Sequence, residues 1–181
     1  MGMHRSPWQA LVLWLIITGS LAAADPQKTF EVGGFTFTRP DGWKWVESTS
    51  PMRKAQLEVP AEKGGSPADI VFFYFGQGQG GGTKANVDRW FGQFQETREK
   101  INARTEETTV GQRKVTYVTA DGTYKSGMPG GAQTAMPDYA LLGAIIESER
   151  GNVFVRLTGP KNLVHKSTAA FKKMIESALK L

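Results

Sequence analysis

The sequence predicts a single α+β domain in which a mostly antiparallel sheet carries helices on both faces. Short segments with alternating apolar and polar residues are joined by tight turns, a pattern typical of antiparallel hairpins. Two longer segments, Ile70–Phe75 and Tyr139–Ile146, are continuously apolar, so we expect them to be covered on both sides. Two further segments have apolar residues at helical spacing. They are the expected cover, which gives an α/β/α sandwich.

The first strands form a predicted hairpin, Phe30–Val32 and Phe35–Thr38, around Gly33-Gly34. A Gly-Gly pair favours a two-residue turn because both turn residues need positive φ. The segment Pro40–Gly42 reads as a second turn before the next strand. The other predicted strands are Trp43–Glu47, Lys54–Val59, Arg104–Thr109, Arg113–Ala120 and Val153–Thr158, the last paired with Tyr139–Glu147.

Two helices are predicted from apolar periodicity. One runs from about Lys84 to Glu99 with Thr83 as its N-cap, and the other begins at about Lys161 after Pro160. Their apolar stripes are Val87, Trp90, Phe91 and Phe94 in the first helix, and Phe171, Met174, Ile175, Ala178 and Leu179 in the second.

Residues 1–24 have the features of a secretory signal peptide. His4 and Arg5 precede the apolar run Ala10–Ile17, and Ala22-Ala23-Ala24 supplies the small residues of a cleavage site. An uncleaved anchor is the alternative, but the apolar stretch is shorter than a spanning helix needs. We therefore expect an exported protein, periplasmic or extracellular, with residues 25–181 as one domain and no membrane insertion after cleavage.

The composition excludes several functional classes. The chain has 181 residues, no Cys and two His, so disulfide scaffolds, thiolate metal sites and His-rich metal sites are excluded. The 22 Lys and Arg residues exceed the 17 Asp and Glu residues only mildly. The lysines of the last helix are better explained as a solvated face than as a nucleic-acid surface. We expect no metal and no cofactor.

The segment Gly76–Gly82 contains five glycines in seven residues. Its spacing matches a dinucleotide fingerprint, but the neighbouring strands look antiparallel, so nucleotide binding is not expected. Three interpretations stay open: a permissive turn, a flexible binding loop, or a non-nucleotide anion site at the Thr83–Asn86 amides with Arg89 as counter-charge.

A second segment, Tyr124–Asp138, is predicted to be a long irregular loop. It includes Met128, and methionine suits adaptable contacts with a partner. The alternative is a connection without a binding role. His165 is expected to be an exposed structural residue, and no G-x-S-x-G nucleophile motif accompanies it.

Three segments carry a resemblance to a known family. The opening Phe35-Thr-Phe-Thr-Arg-Pro-Asp-Gly-Trp43, the strand Val153–Pro160 and the helical segment Phe171–Ser177 resemble the PsbP-like fold family. That family includes the PsbP subunit of the photosynthetic oxygen-evolving complex and a Ran-binding nuclear-import factor. The resemblance implies an antiparallel sheet with helices on both sides and a non-catalytic accessory or binding role.

A closer resemblance is to uncharacterised secreted bacterial proteins of the same fold. The features that carry it are Gly80-Gly81, Asn86-x-x-Arg89-Trp90, Gln93-Phe94 and Gly143–Ile146. That group supplies no activity and no site residues.

The leading hypothesis is an exported, non-enzymatic module that binds a protein partner through its Gly-rich loops. A small-molecule or anion-binding protein that uses Gly76–Asn86 and Arg89 is the alternative, and a carboxylate-based envelope hydrolase is a weaker one. The candidate binding residues are Gly80, Gly81, Thr83, Asn86, Arg89, Tyr124 and Met128.

Overall fold

The fold is described from a computed structural model. It describes residues 28–62, 64–127 and 131–180, together with Met1. Residues 2–24 of the predicted signal peptide and Met128 lie outside these residues. Within the described ranges, no helix is both long enough and apolar enough to cross a membrane.

The centre of the molecule is a seven-stranded sheet whose neighbouring strands are all antiparallel. Its strand order is β3-β4-β5-β9-β8-β7-β6, and β1 and β2 form a separate hairpin. The strands are β1 Thr29–Val32, β2 Phe35–Thr38, β3 Lys44–Trp45, β4 Arg53–Val59, β5 Ala68–Tyr74, β6 Arg104–Val110, β7 Arg113–Gly127, β8 Gln133–Ile146 and β9 Val153–Pro160. The prediction of a mostly antiparallel α+β fold is confirmed.

Each face of the sheet contributes to its own apolar cluster. Along β8, Leu142 and Ala144 belong to one cluster, whereas Leu141 and Ile145 belong to the other. Successive strand residues point to opposite faces, so the clusters define face A and face B respectively. The cluster of face A also contains buried residues of the β1–β2 hairpin and of the C-terminal helices α2 (Lys161–Lys166) and α3 (Thr168–Ser177). The cluster of face B also contains buried residues of α1 (Thr83–Phe91).

The helices are shorter than predicted. Helix α1 ends at Phe91 and not near Glu99, because Phe94 leaves the helix to form a β-bridge with Tyr124. Gly82, and not Thr83, is its N-cap. The C-terminal helix is interrupted at Ser167, whose hydroxyl donates to the Leu163 carbonyl. As a result, α1 packs against buried residues of β7, β8 and β9. The described buried residues of this cluster include none from β4 or β5, so other side chains occupy that part of face B.

The predicted long loop at Tyr124–Asp138 is wrong. Strand β7 extends into this segment as far as Gly127 and β8 begins within it at Gln133; Tyr124 pairs with Met136, and Gly127 pairs with Gln133. Gly and Pro suggested irregular backbone, but the irregularity is local. The register shifts at Gly122–Tyr124, opposite the Asp138 residue with φ of 54°. This bulge bends the hairpin without ending it.

Candidate anion-binding face

The β4–β5–β9 part of face B carries long polar side chains. Val71 pairs with Gln56 on one side and with Arg156 on the other, so these two residues flank it on the same face. Val71 is only 3% exposed. We call this surface the arginine face; it consists of Arg53, Gln56, Asp69, Arg89, Gln93 and Arg156.

Helix α1 supplies the residues that border the arginine face from above the sheet. Gln93 follows the helix and accepts a hydrogen bond of 2.7 Å from Nη1 of Arg156. Arg89 lies one helical turn earlier and donates to Oδ1 of Asn86. The spacing of Asn86, Arg89 and Gln93 places them along one side of this segment. The arginine face is therefore built from α1 as well as from three strands.

Asn86 connects the arginine face to the glycine-rich segment. Its side chain is 1% exposed and donates to the carbonyls of Gly80 at 2.9 Å and Gly82 at 3.0 Å. Gly80 has a φ of 83°, and a Cβ there would overlap the Phe75 ring at 2.6 Å. These two hydrogen bonds hold the C-terminal end of the glycine-rich segment against α1. These contacts give Gly80 and Asn86 a structural role.

We expect Asn86→Ala to destabilise the protein by about 1–3 kcal/mol, because the Gly80 carbonyl loses its donor and the Gly82 carbonyl keeps only the Asn86 backbone N–H. Thermal denaturation measures the effect. Asn86→Asp is the variant matched in size: it keeps an acceptor for Arg89 but has no N–H donor and adds a negative charge facing the carbonyls, so it should not restore stability. Full stability of either variant would contradict a structural role for Asn86.

On strands β4 and β5, two hydrogen bonds link Arg53 to Gln56 and Gln56 to Asp69. Nη1 of Arg53 donates to Oε1 of Gln56 at 2.9 Å, and Nε2 of Gln56 donates to Oδ1 of Asp69 at 3.0 Å. The neutral amide of Gln56 thus lies between the cation and the carboxylate. The three guanidinium groups of the arginine face outnumber its carboxylate, Asp69. Glu58, which pairs with Asp69 from β4, is itself paired with Lys44 at 3.1 Å, so this region carries an excess of positive charge.

The electrostatic surroundings of Arg156 are unfavourable for its charge. Burial lowers the pKa of the Arg156 guanidinium, and the positive charges of Arg53 and Arg89 lower this pKa further. An arginine side chain keeps its proton in proteins. The lowered pKa therefore reports that the cation lies in a site that disfavours it.

Arg156 also has incomplete hydrogen bonding. Its Nε atom is buried and has no acceptor among the described residues. Its one hydrogen bond to a described residue leaves from Nη1. The Nε–Nη2 edge is the edge that binds a carboxylate or another oxyanion through two parallel hydrogen bonds. The chemistry of the arginine face therefore favours an anionic ligand.

The structure separates the predicted site residues. Arg89 belongs to the arginine face, and Tyr124 lies close enough for Arg156 and Arg53 to act on its ionisation; burial raises the pKa of the Tyr124 hydroxyl. The hydroxyl of Thr83 donates to Oε1 of Glu147 at 2.7 Å. A carboxylate of the chain itself therefore lies beside the start of α1, where the predicted anion cradle would be. Gly81 has a φ of 79° and, like Gly80, shapes the turn.

Sequence reasoning missed Arg53, Gln56, Asp69 and Arg156 as site residues. One signal was available: Arg156 is the only charged residue of the strand Val153–Pro160. A charge within an otherwise apolar strand indicates a face that is not fully covered by apolar packing. The signal did not indicate which other residues lie nearby.

Three further observations on the described residues concern acid–base catalysis and metal binding. Nε2 of His165 lies 2.8 Å from Oδ1 of Asp121, at an exposed position between α2 and β7. Hydrogen bonds from Lys84 and Arg98 lower the pKa of Asp88. A general acid needs the opposite shift. Over the described ranges, no group of three or more His, Cys, Asp or Glu side chains could hold a metal ion.

Comparison with solved structures identifies the fold. The solution structure of cyanobacterial PsbP from Synechocystis sp. PCC 6803 matches with a TM-score of 0.51 and 11% identity, covering 88% of this chain and 96% of that one. The chain has a PsbP-like fold. The resemblance predicted from the sequence is confirmed at the level of the fold.

Two other solved structures also match this PsbP-like chain. One is PA94 from Pseudomonas aeruginosa, a protein of unknown function, with a TM-score of 0.48, 12% identity and coverage of 84% of this chain and 96% of that one. The other is LpqN of Mycobacterium tuberculosis, described as involved in cell envelope biogenesis, with a TM-score of 0.41, 14% identity and coverage of 76% and 78%. No protein-family model matches the chain, and no curated protein matches it.

Proposed function

We propose that this protein is an exported, non-catalytic accessory protein that binds an acidic segment of a partner protein on its arginine face. In this proposal the sheet is the scaffold of an α/β/α sandwich, with α1 on face B and α3 on face A. The observation that carries the proposal is the buried Nε of Arg156, which has no acceptor among the described residues and lies within a cluster of three arginines.

A carboxylate ligand fits the arginine face better than a more highly charged anion. Asp69 contributes a negative charge at one side, which would repel a doubly charged phosphate. The amides of Gln56 and Gln93 lie between the charged groups and can bind a peptide backbone or side-chain carboxylates. Export is supported by the features of residues 1–24.

The binding surface in this proposal differs from the predicted Gly-rich loops. The Asn86 side chain fastens Gly80 and Gly82, and the Thr83 hydroxyl is occupied by Glu147. Because these hydrogen bonds hold it against α1, the glycine-rich segment serves to support that helix. Arg89 is the residue common to the predicted site and the arginine face.

Binding of a fluorescent glutamate-rich peptide, followed by anisotropy, tests the proposal. We expect the purified protein to bind this peptide, with affinity that falls as NaCl screens the charges. Arg89→Gln should weaken binding about tenfold, the effect of losing a charge-assisted hydrogen bond. Arg104→Gln is the matched control, because Arg104 is exposed on the edge strand β6 and its loss changes the net charge equally. Equal losses for both variants, or no binding, would overturn the proposal.

A further inference from the structure

A cavity of about 370 Å³ lies at one end of the arginine face. Tyr124, Met136 and Tyr139 come from the bent β7–β8 hairpin and form one wall, and Pro67 precedes β5 on another side. Thr158 of β9 also lines the cavity. Its volume falls within the range of sites that hold small molecules or single side chains of a partner.

The cavity and the arginine face share Asp69. Asp69 pairs with Thr158 across β5 and β9, so both residues lie on face B. The charges of Arg156 and Asp69 act on Tyr124, which places the cavity wall within electrostatic range of the arginines. A ligand bound to Arg156 could therefore extend into the cavity without leaving the protein surface.

The walls of the cavity favour an aromatic ring. The Tyr124 and Tyr139 rings are stacked with centroids 6.5 Å apart, and Tyr124 is fixed from behind by the Phe94 ring at 5.5 Å. Fixed aromatic walls beside a methionine suit a flat apolar group, because rings gain from offset and edge contacts and sulfur packs well against them.

The polar part of the cavity favours a hydrogen-bond donor. Asp69 is exposed, and its Oδ1 accepts from Gln56. Its Oδ2 has no donor among the described residues. An ionised carboxylate accepts hydrogen bonds and donates none. A ring that enters beside Asp69 is therefore stabilised most if it carries an O–H or N–H group.

We propose that the cavity binds a tyrosine or tryptophan side chain that lies next to the acidic residues of the partner segment. This inference rests on the proposed function. It defines the partner by two features: carboxylates for the arginine face, and a neighbouring aromatic ring with a donor for Asp69. Aromatic anchors that fill a pocket beside arginines are typical of the residues that dominate binding energy at protein interfaces.

Calorimetric titration with three peptides tests the inference. The peptides carry the same four glutamates and differ at one neighbouring position, which is Tyr, Phe or Ala. We expect the Phe peptide to bind about tenfold more weakly than the Tyr peptide, since a hydrogen bond to a charged group is lost. The Ala peptide should bind more weakly again, about a hundredfold below the Tyr peptide, because its ring contacts are lost as well.

The variant Asp69→Asn separates the cavity from the arginines. It keeps an acceptor for Gln56 and removes the carboxylate, so the preference for Tyr over Phe should fall to about twofold or less. Glu58→Gln is the matched control, because Glu58 is the β4 neighbour of Asp69, and it should keep the tenfold preference. Tyr139→Ala should lower the affinity for the Tyr and Phe peptides but not the affinity for the Ala peptide.

The outcomes distinguish the two proposals. If all three peptides bind the wild-type protein equally and Arg89→Gln weakens each of them, the aromatic anchor is wrong and the proposed function stands. If none of the peptides binds, both proposals are wrong. An undiminished Tyr preference in Asp69→Asn would overturn the role of Asp69.

Discussion

Arg156→Met should make the protein more stable to heat and at the same time strongly weaken its binding of acidic peptides. The guanidinium of Arg156 lies in a site that disfavours its charge, and its buried Nε has no acceptor among the described residues. Methionine can lie over Val71 in its place without repelling Arg53 and Arg89. We expect a gain of about 1 kcal/mol, which for a domain of this size raises Tm by roughly 2–4 °C.

The same substitution should lower the affinity for the glutamate-rich peptide by more than about thirtyfold, because a peptide carboxylate loses the guanidinium that would bind it through two hydrogen bonds. Differential scanning calorimetry and anisotropy measure the two effects on one sample. Arg104→Met is the control and should change neither quantity appreciably. A loss of stability combined with unchanged binding would show that Arg156 is a structural residue and not a binding residue.

Gly143→Ala should destabilise the protein by about 3 kcal/mol, near the upper end of the usual range for overpacked cores. Gly143 lies in β8 beneath the ring of Trp90. A Cβ at this position would lie 2.8 Å from Cε3 of Trp90 and closer still to Cζ3. Helix α1 would have to move away from the sheet to make room. The corresponding fall in Tm is roughly 6–12 °C.

A double-mutant cycle tests the cause of this loss. If the Trp90 ring is the obstacle, Gly143→Ala combined with Trp90→Leu should be less destabilised than the sum of the single variants. Gly92→Ala is the control: Gly92 has ordinary helical φ and ψ and no close contact, so this variant should be neutral. Additive effects, or a Tm unchanged in Gly143→Ala, would contradict the packing described.

The sequence motifs around α1 and β8, Asn86-x-x-Arg89-Trp90, Gln93-Phe94 and Gly143–Ile146, have a common structural basis. Asn86 fastens the glycine-rich segment, Trp90 packs on Gly143, and Gln93 binds Arg156. Phe94 contacts Tyr124. These residues together hold α1 in place above face B. Arg89, which points to the side of this contact, joins the arginine face.

Much of the sheet could be predicted because its signals are local. The hairpin turn at Gly33-Gly34 has φ values of 62° and 82°, as a Gly-Gly turn between alternating strands implies. The pairing of β8 with β9 likewise followed from two apolar runs and the short turn between them. Periodicity did not reveal where α1 ends, because Phe94 continues the apolar spacing but is used in a bridge to Tyr124.

The arginine face could not be predicted because it depends on long-range register. Arg53, Arg89 and Arg156 belong to β4, α1 and β9, which are far apart in the sequence. They become neighbours because β9, which pairs with its sequence neighbour β8 along one edge, pairs along its other edge with the distant strand β5. A pattern of charges along the sequence contains no information about that pairing. The glycine-rich segment, by contrast, was conspicuous in the sequence yet has mainly a structural role.

Whether the arginine face binds acidic ligands can be decided by NMR observation of the arginine Nε–H groups while a glutamate-rich peptide is added. The Nε–H signal of Arg156 is assigned from its absence in Arg156→Met. Binding on the arginine face predicts that this signal shifts with the peptide concentration, because Nε gains an acceptor, and that Arg89 and Arg53 respond with it. Binding on the arginine face is contradicted if the Arg156 Nε–H signal stays fixed while the peptide binds and shifts the signals of arginines elsewhere.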